Sequence, residues 1–138
     1  MIAAIAASGI FLVLAMAGAW AVQRRTGNSG WIDTTWSFAV GLASVLGLSM
    51  LSIPAARRWL LLLLVVAWSI RLGAHILART TRVTDDPRYA QLMTEWGPEA
   101  APRRLFWFLQ GQAAAGIVLV LAILLAALVP VFAARFVL

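Results

Sequence analysis

Cysteine and lysine are absent from this 138-residue chain, histidine occurs once, and only five residues are acidic. Without cysteine there is no disulfide, no thiolate metal ligand and no sulfur nucleophile. Without lysine there is no Schiff-base amine and no phosphate-loop lysine. One histidine and five scattered acids do not build a zinc centre, so no metal site is expected. No glycine-rich phosphate loop, Ser/His/Asp set or spaced pair of carboxylates is visible either. The residues alone therefore name no reaction.

What the chain has in abundance is apolar surface. It is 63% hydrophobic and 12% charged, with a mean hydropathy of +0.93. A soluble domain of this length cannot hide that much, so the expected class is all-α: a polytopic membrane protein with four transmembrane helices in one membrane domain. The net charge of +6 comes from arginine alone. These arginines flank apolar runs, where they orient helices against anionic lipid, and no basic patch outside the flanks suggests nucleic acid.

Four runs of spanning length are expected, at about 2–22, 31–51, 59–79 and 105–129. The first lacks leading positive charge, and Arg24 and Arg25 follow it, so it reads as a retained helix and not a cleaved leader. A turn of sequence QRRTGNSG precedes the second run, and Pro54 with Arg57-Arg58 marks the next turn. Residues 80–104 read as a polar loop holding four of the five acids and a short surface helix from Pro87 to Trp96, ended by Gly97-Pro98. Pro130 is expected to stop or kink the fourth span, and the tail to 138 is apolar except for Arg135. The first and third loops carry seven arginines and the opposite side three, which places those loops in the cytoplasm and both termini outside.

The polar residues inside the runs carry the functional question. Arg71, His75 and Arg79 are spaced i, i+4, i+8 and stack on one helical face, with Trp68 one turn before Arg71. Ionisable groups at membrane depth need partners. Asp33, near the start of the second run, is expected to meet Arg79 or His75, and a tilt would let it reach Arg71. Arg79 reads as a snorkelling anchor. Arg71 is open between a structural ion pair and a substrate or cofactor contact, and His75 between a structural histidine and a general acid. Gln110 and Gln112 read as headgroup-level residues or interhelical hydrogen-bond donors. Trp20, Trp31, Trp59 and Trp107 read as interface anchors, and Trp36 and Trp68 as packing residues or a ligand wall.

The ordered set Trp31-Ile-Asp33-Thr-Thr-Trp36, Trp68-Ser-Ile-Arg71-Leu-Gly-Ala-His75-Ile-Leu-Ala-Arg79, Asp85-Asp86-Pro87-Arg88-Tyr89, Glu95-Trp96-Gly97 and Gln110-Gly111 resembles the N-terminal half of a bacterial membrane group of unknown function related to steroid 5-alpha-reductases. The resemblance covers about residues 20 to 115. It implies an NADPH-dependent reductase of a lipid-like enone, with a steroid-like or isoprenoid-like substrate, in the bacterial inner membrane. On it, His75 and Asp33 are the catalytic candidates. Arg71, Trp36 and Trp68 face substrate, and Arg79, Arg88 and Tyr89 face the cofactor. The steroid enzymes place a tyrosine directly after the histidine; here Ile76 stands there, and His75 becomes the substitute carbonyl polariser. Members of the group continue for about as many residues again, through an R-x-x-R-H-P-x-Y-type segment that grips the nucleotide. The chain thus reads as the lipid-cavity half of a reductase-like enzyme, a fragment inactive alone. Membrane lipids, a homo-oligomeric copy or a complementing C-terminal half are its expected partners. Half of an isoprenylcysteine methyltransferase-like enzyme, using S-adenosylmethionine, and a small non-enzymatic membrane assembly protein are the alternatives. A small multidrug-type transporter would need an acid in the first span, which has none.

Overall fold

The computed structural model describes residues 1–82 and 85–129. The expectations for Pro130, Arg135 and the tail lie outside the described residues. Four α-helices follow in order: α1 Ile2–Thr26, α2 Gly30–Ser49, α3 Ala55–Thr80 and α4 Pro87–Leu128. Among the described residues there is no strand, and all four helices are long and apolar enough to cross a membrane. The chain is a multi-pass, all-α membrane protein.

Two boundaries differ from the sequence expectation. The short helix expected from Pro87 to Trp96 is present, but a second limb follows it directly instead of starting at 105, so the two together form α4, Pro87–Leu128. Its only break is Gly97, at φ 77 and ψ 160, a conformation that an L side chain resists. Pro98 then opens the longer limb, where the first backbone N–H groups need no helical partner. Similarly α3 starts at Ala55 instead of Trp59. Pro54 precedes its first turn, and Arg57 and Arg58 serve as caps for other elements. Arg57 Nη1 donates to the carbonyls of Ala127 (3.0 Å) and Val129 (2.6 Å), while Arg58 Nη2 donates to that of Leu51 (2.6 Å). Cations at these C-terminal carbonyls complement the helix dipoles.

The connections are short, so neighbouring helices run antiparallel. One end of the bundle gathers the α1–α2 and α3–α4 turns; the other gathers the start of α1, the α2–α3 turn and the end of α4. A buried stripe on α4, including Leu105, Leu109, Ala113, Val120 and Leu124, packs with Leu12 and Met16 of α1 and Val40 of α2. Ser8 Oγ donates to the Ala43 carbonyl at 2.8 Å, tying α1 to α2.

The α2–α3 seam is closer still. Gly41 lies so near Ser69 that a Cβ there would overlap its Oγ, and the Phe38 ring fills the space beside Gly73. Ser69 Oγ donates to the Ser37 carbonyl at 3.0 Å. Small residues of this kind let two backbones approach where lipid supplies no hydrophobic drive. The seam holds α3 on α2, while α4 packs on α1 and α2 and touches α3 only lightly. A lateral cleft is left between α3 and α4. Gly41→Ala should lower stability by about 1–3 kcal/mol in a detergent thermal melt. Gly18→Ala, where no neighbour lies within 4 Å, should leave the midpoint nearly unchanged.

Candidate functional site

At the end shared by the two turns, polar side chains knit three helices together. Ser29, fully buried, begins the set. Its hydroxyl donates to Asp85 Oδ1 and accepts from the Asp86 backbone N–H at 3.0 Å. Asn28 Nδ2 donates to the Thr80 carbonyl at 3.0 Å, and the Thr80 hydroxyl donates to the Gly30 carbonyl at 3.0 Å. These bonds fix where α3 ends and α4 starts.

Asp86 is the N-cap of α4, accepting from the Arg88 backbone N–H at 3.0 Å. Its carboxylate also takes Nε and Nη2 of the Arg88 side chain, at 3.1 and 3.0 Å. The same Nη2 forms an ion pair with Asp33 Oδ2. The Tyr89 hydroxyl donates to Asp33 Oδ1 at 2.8 Å and accepts from Gln112 Nε2 at 2.9 Å. Trp36 closes the chain of contacts, its indole N–H donating to the Gln112 carbonyl at 3.0 Å. A continuous network therefore runs Asp86–Arg88–Asp33–Tyr89–Gln112, from the surface into the bundle. The side-chain hydrogen bond from Arg88 holds the Asp86 carboxyl below the usual carboxylate range, against the opposing effect of burial.

The network faces the cleft. A cavity of about 210 Å³ at the polar end is lined by Asp33, Ile76, Arg79, Asp85, Asp86 and Arg88 among others. Asp33 and Ile76 also line the next one, about 330 Å³, together with Trp36, Leu72, Gln112 and Ala115. One turn further along α3 and α4, Trp68, Leu64, Leu119 and Ile123 belong to an apolar hollow of about 480 Å³. The cleft thus grades from charged to wholly aliphatic along its length.

Of the residues singled out from sequence, Asp33, Trp36, Arg88 and Tyr89 come together at this site. Asp33 does not meet His75 or Arg71 as expected; its partners are Arg88 and Tyr89. The reason is rotation of α3. Ser69 and Gly73 face α2, which turns Arg71 and His75 outward, where both are exposed and form no hydrogen bond or ion pair among the described residues. Arg79 remains near the network through Asp86 at 3.8 Å, its side chain 58% exposed. Trp68 lies on the lip between the cleft and the outer face. Gln112, open from sequence between a headgroup residue and a hydrogen-bond donor, is a donor, to Tyr89. Its partner lies across the Gly97 break, so no local spacing signals the contact. The buried Ser29 and the N-cap role of Asp86 went unnoticed, although an Asp-Pro before a helical run is itself a cap signal.

Asp33→Ala and Arg88→Ala should couple by about 0.5–1 kcal/mol in a double-mutant cycle, modest because Arg88 is largely exposed. Asp33→Ala and Arg71→Ala should instead add without coupling. Acid should loosen the start of α4. The Asp86 contribution is complete above the ordinary carboxyl value of 3.8 and is lost as pH falls through its lowered folded value. Amide exchange at residues 88–90 should rise over that range, and Asp86→Asn should abolish the dependence.

The family model described as "Protein of unknown function (DUF1295)" matches residues 19–135. Neither the curated proteins nor the solved structures contain a match.

Proposed function

The chain belongs to the DUF1295 family, whose function is unknown, and we propose that its α3–α4 cleft is the lipid-binding part of a membrane oxidoreductase related to steroid 5-alpha-reductases. The observation that carries this reading is the polarity gradient along the cleft. A ligand entering sideways from the bilayer would lay an aliphatic body against Leu64, Leu119 and Ile123 and bring a carbonyl or hydroxyl to Gln112. Such amphipathic clefts, mostly apolar with a few convergent polar groups, are the usual form of small-molecule sites. A steroid-like or isoprenoid-like enone has the matching shape.

Within this reading Gln112 holds the polar group from the cavity wall, and it is itself positioned by the buried Tyr89. The Tyr89 hydroxyl is in turn aligned by Asp33, whose carboxylate Arg88 keeps in place. His75 opens onto the outer lip, away from these groups.

The polar end is poorly matched to NADPH. Asp33, Asp85 and Asp86 share that cavity with Arg79 and Arg88, and Arg88 is already spent on two of the carboxylates. A pyrophosphate there would meet more negative charge than free positive charge. Reduction would need a nucleotide site outside the residues described here, so no hydride step is assigned to them. Seven arginines (24, 25, 79, 82, 88, 103 and 104) belong to the helix ends and turns at this polar end. That supports an orientation with this end in the cytoplasm and the N-terminus outside a bacterial inner membrane.

A photoactivatable steroid enone offered to the purified chain in nanodiscs should label Leu72, Ala115 or Leu119, and Ala115→Trp should suppress the labelling. Labelling spread evenly over lipid-facing residues would remove the cleft as a site. In the same preparation NADPH should show no saturable binding below about 1 mM; tight stoichiometric binding would overturn this division of labour.

A further inference from the structure

The outward face of α3 is a second polar feature that the cleft does not use. Arg71, His75 and Arg82 are all exposed, and Arg79 has one long ion pair among the described residues, to Asp86. From Arg82 to Arg71 the stripe runs inward by roughly 16 Å at the helical rise. It lines two adjoining surface hollows that share His75. One, of about 550 Å³, is formed by Trp68, Arg71, Leu72 and His75; the other, of about 340 Å³, by His75, Ala78, Arg79 and Arg82. Deeper on the same face the helix turns wholly apolar, with Leu60 and Leu64 56% and 57% exposed.

An unpaired arginine within a span is costly, and Arg71 has no acidic partner among the described residues. The acids at the polar end are committed to Ser29, Arg88, Tyr89 and backbone N–H groups. The face is therefore complementary to one kind of neighbour: an amphiphile with an anionic head toward Arg82 and an aliphatic tail toward Leu60. The geometry points to a specific site for an anionic phospholipid, its phosphate held by Arg71, His75 and Arg79 and its acyl chain lying along Leu64 and Leu60. Guanidinium groups bind phosphate through paired hydrogen bonds, and the imidazole adds an N–H donor between them. Trp68 sits where head and tail meet, as tryptophan does at membrane interfaces. This site does not depend on the cleft being a substrate site.

The test is a lipid titration of the purified full chain, read by native mass spectrometry, with palmitoyl-oleoyl phosphatidylglycerol against palmitoyl-oleoyl phosphatidylcholine. The chain should retain the glycerol lipid in preference to the choline lipid by about tenfold or more. Arg71→Gln with His75→Gln should bring the ratio close to parity, and Arg71→Lys should keep most of it. These side chains form no hydrogen bond or ion pair among the described residues, so the variants should melt as the parent does. Arg24→Gln with Arg25→Gln removes the same number of polar groups at the same end of the bundle and should leave the preference intact. Equal retention of the two lipids by the parent overturns the proposal. So does equal loss in the Arg24/Arg25 variant, which would mean diffuse surface charge. Displacement of the lipid by inorganic phosphate alone would assign the site to the free anion and overturn the lipid. A co-purifying protein chain that covers Arg71 and blocks the titration would also overturn it.

Discussion

A carboxylate one turn inside a membrane helix must be hydrogen-bonded and neutralised, and the arrangement of one whole end of this protein follows from that demand on Asp33. Its partners come from the first turn of α4, where Arg88 and Tyr89 are adjacent in sequence and reach the two oxygens separately. For them to arrive, α4 must begin beside α2. Asp86 caps it there, and Ser29 and Asp85 pin the turn before it. The short limb 87–96 can then rejoin a spanning helix only through a change of direction, which the positive φ of Gly97 supplies. A charge placed at low dielectric has thus organised a cap, a turn and a kink around itself.

The second constraint is steric. Small residues on α2 and α3 draw those helices together, and a continuous aliphatic stripe draws α4 toward α1 and α2. Both attractions centre on α2, and α3 meets α4 only lightly, through Arg57 at one end and Arg79 at the other. The cleft between them is a consequence of those two seams. Its polar end coincides with the Asp33 network because both are built on the start of α2. That coincidence gives the cleft one charged end and one aliphatic end.

Much of the architecture was legible in the residues. Apolar runs of spanning length, turns marked by Gly, Asn and Pro, and flanking arginines are direct consequences of bilayer thickness and helical rise. Asp33, Trp36, Arg88 and Tyr89 were visible as candidates because polar or amphipathic groups stand out near apolar runs. Their partnership was not. Asp33 and Tyr89 are 56 positions apart, and Tyr89 and Gln112 are 23 apart across a backbone break. Contacts of that kind depend on where helices sit, which periodicity along a single helix does not encode.

The polar stripe of α3 shows the limit most clearly. In a soluble bundle, polar residues mark the solvent side and apolar ones the core. In a membrane, lipid and core are equally apolar, so that contrast cannot tell which way a helix is turned. Sequence by itself determined that Arg71, His75 and Arg79 share a face, because 3.6 residues per turn is a property of the backbone. Only the tertiary structure decided that this face points outward. Close packing of Ser69 against Gly41, and of Gly73 against Phe38, sets the rotation of α3, and the charged side chains follow.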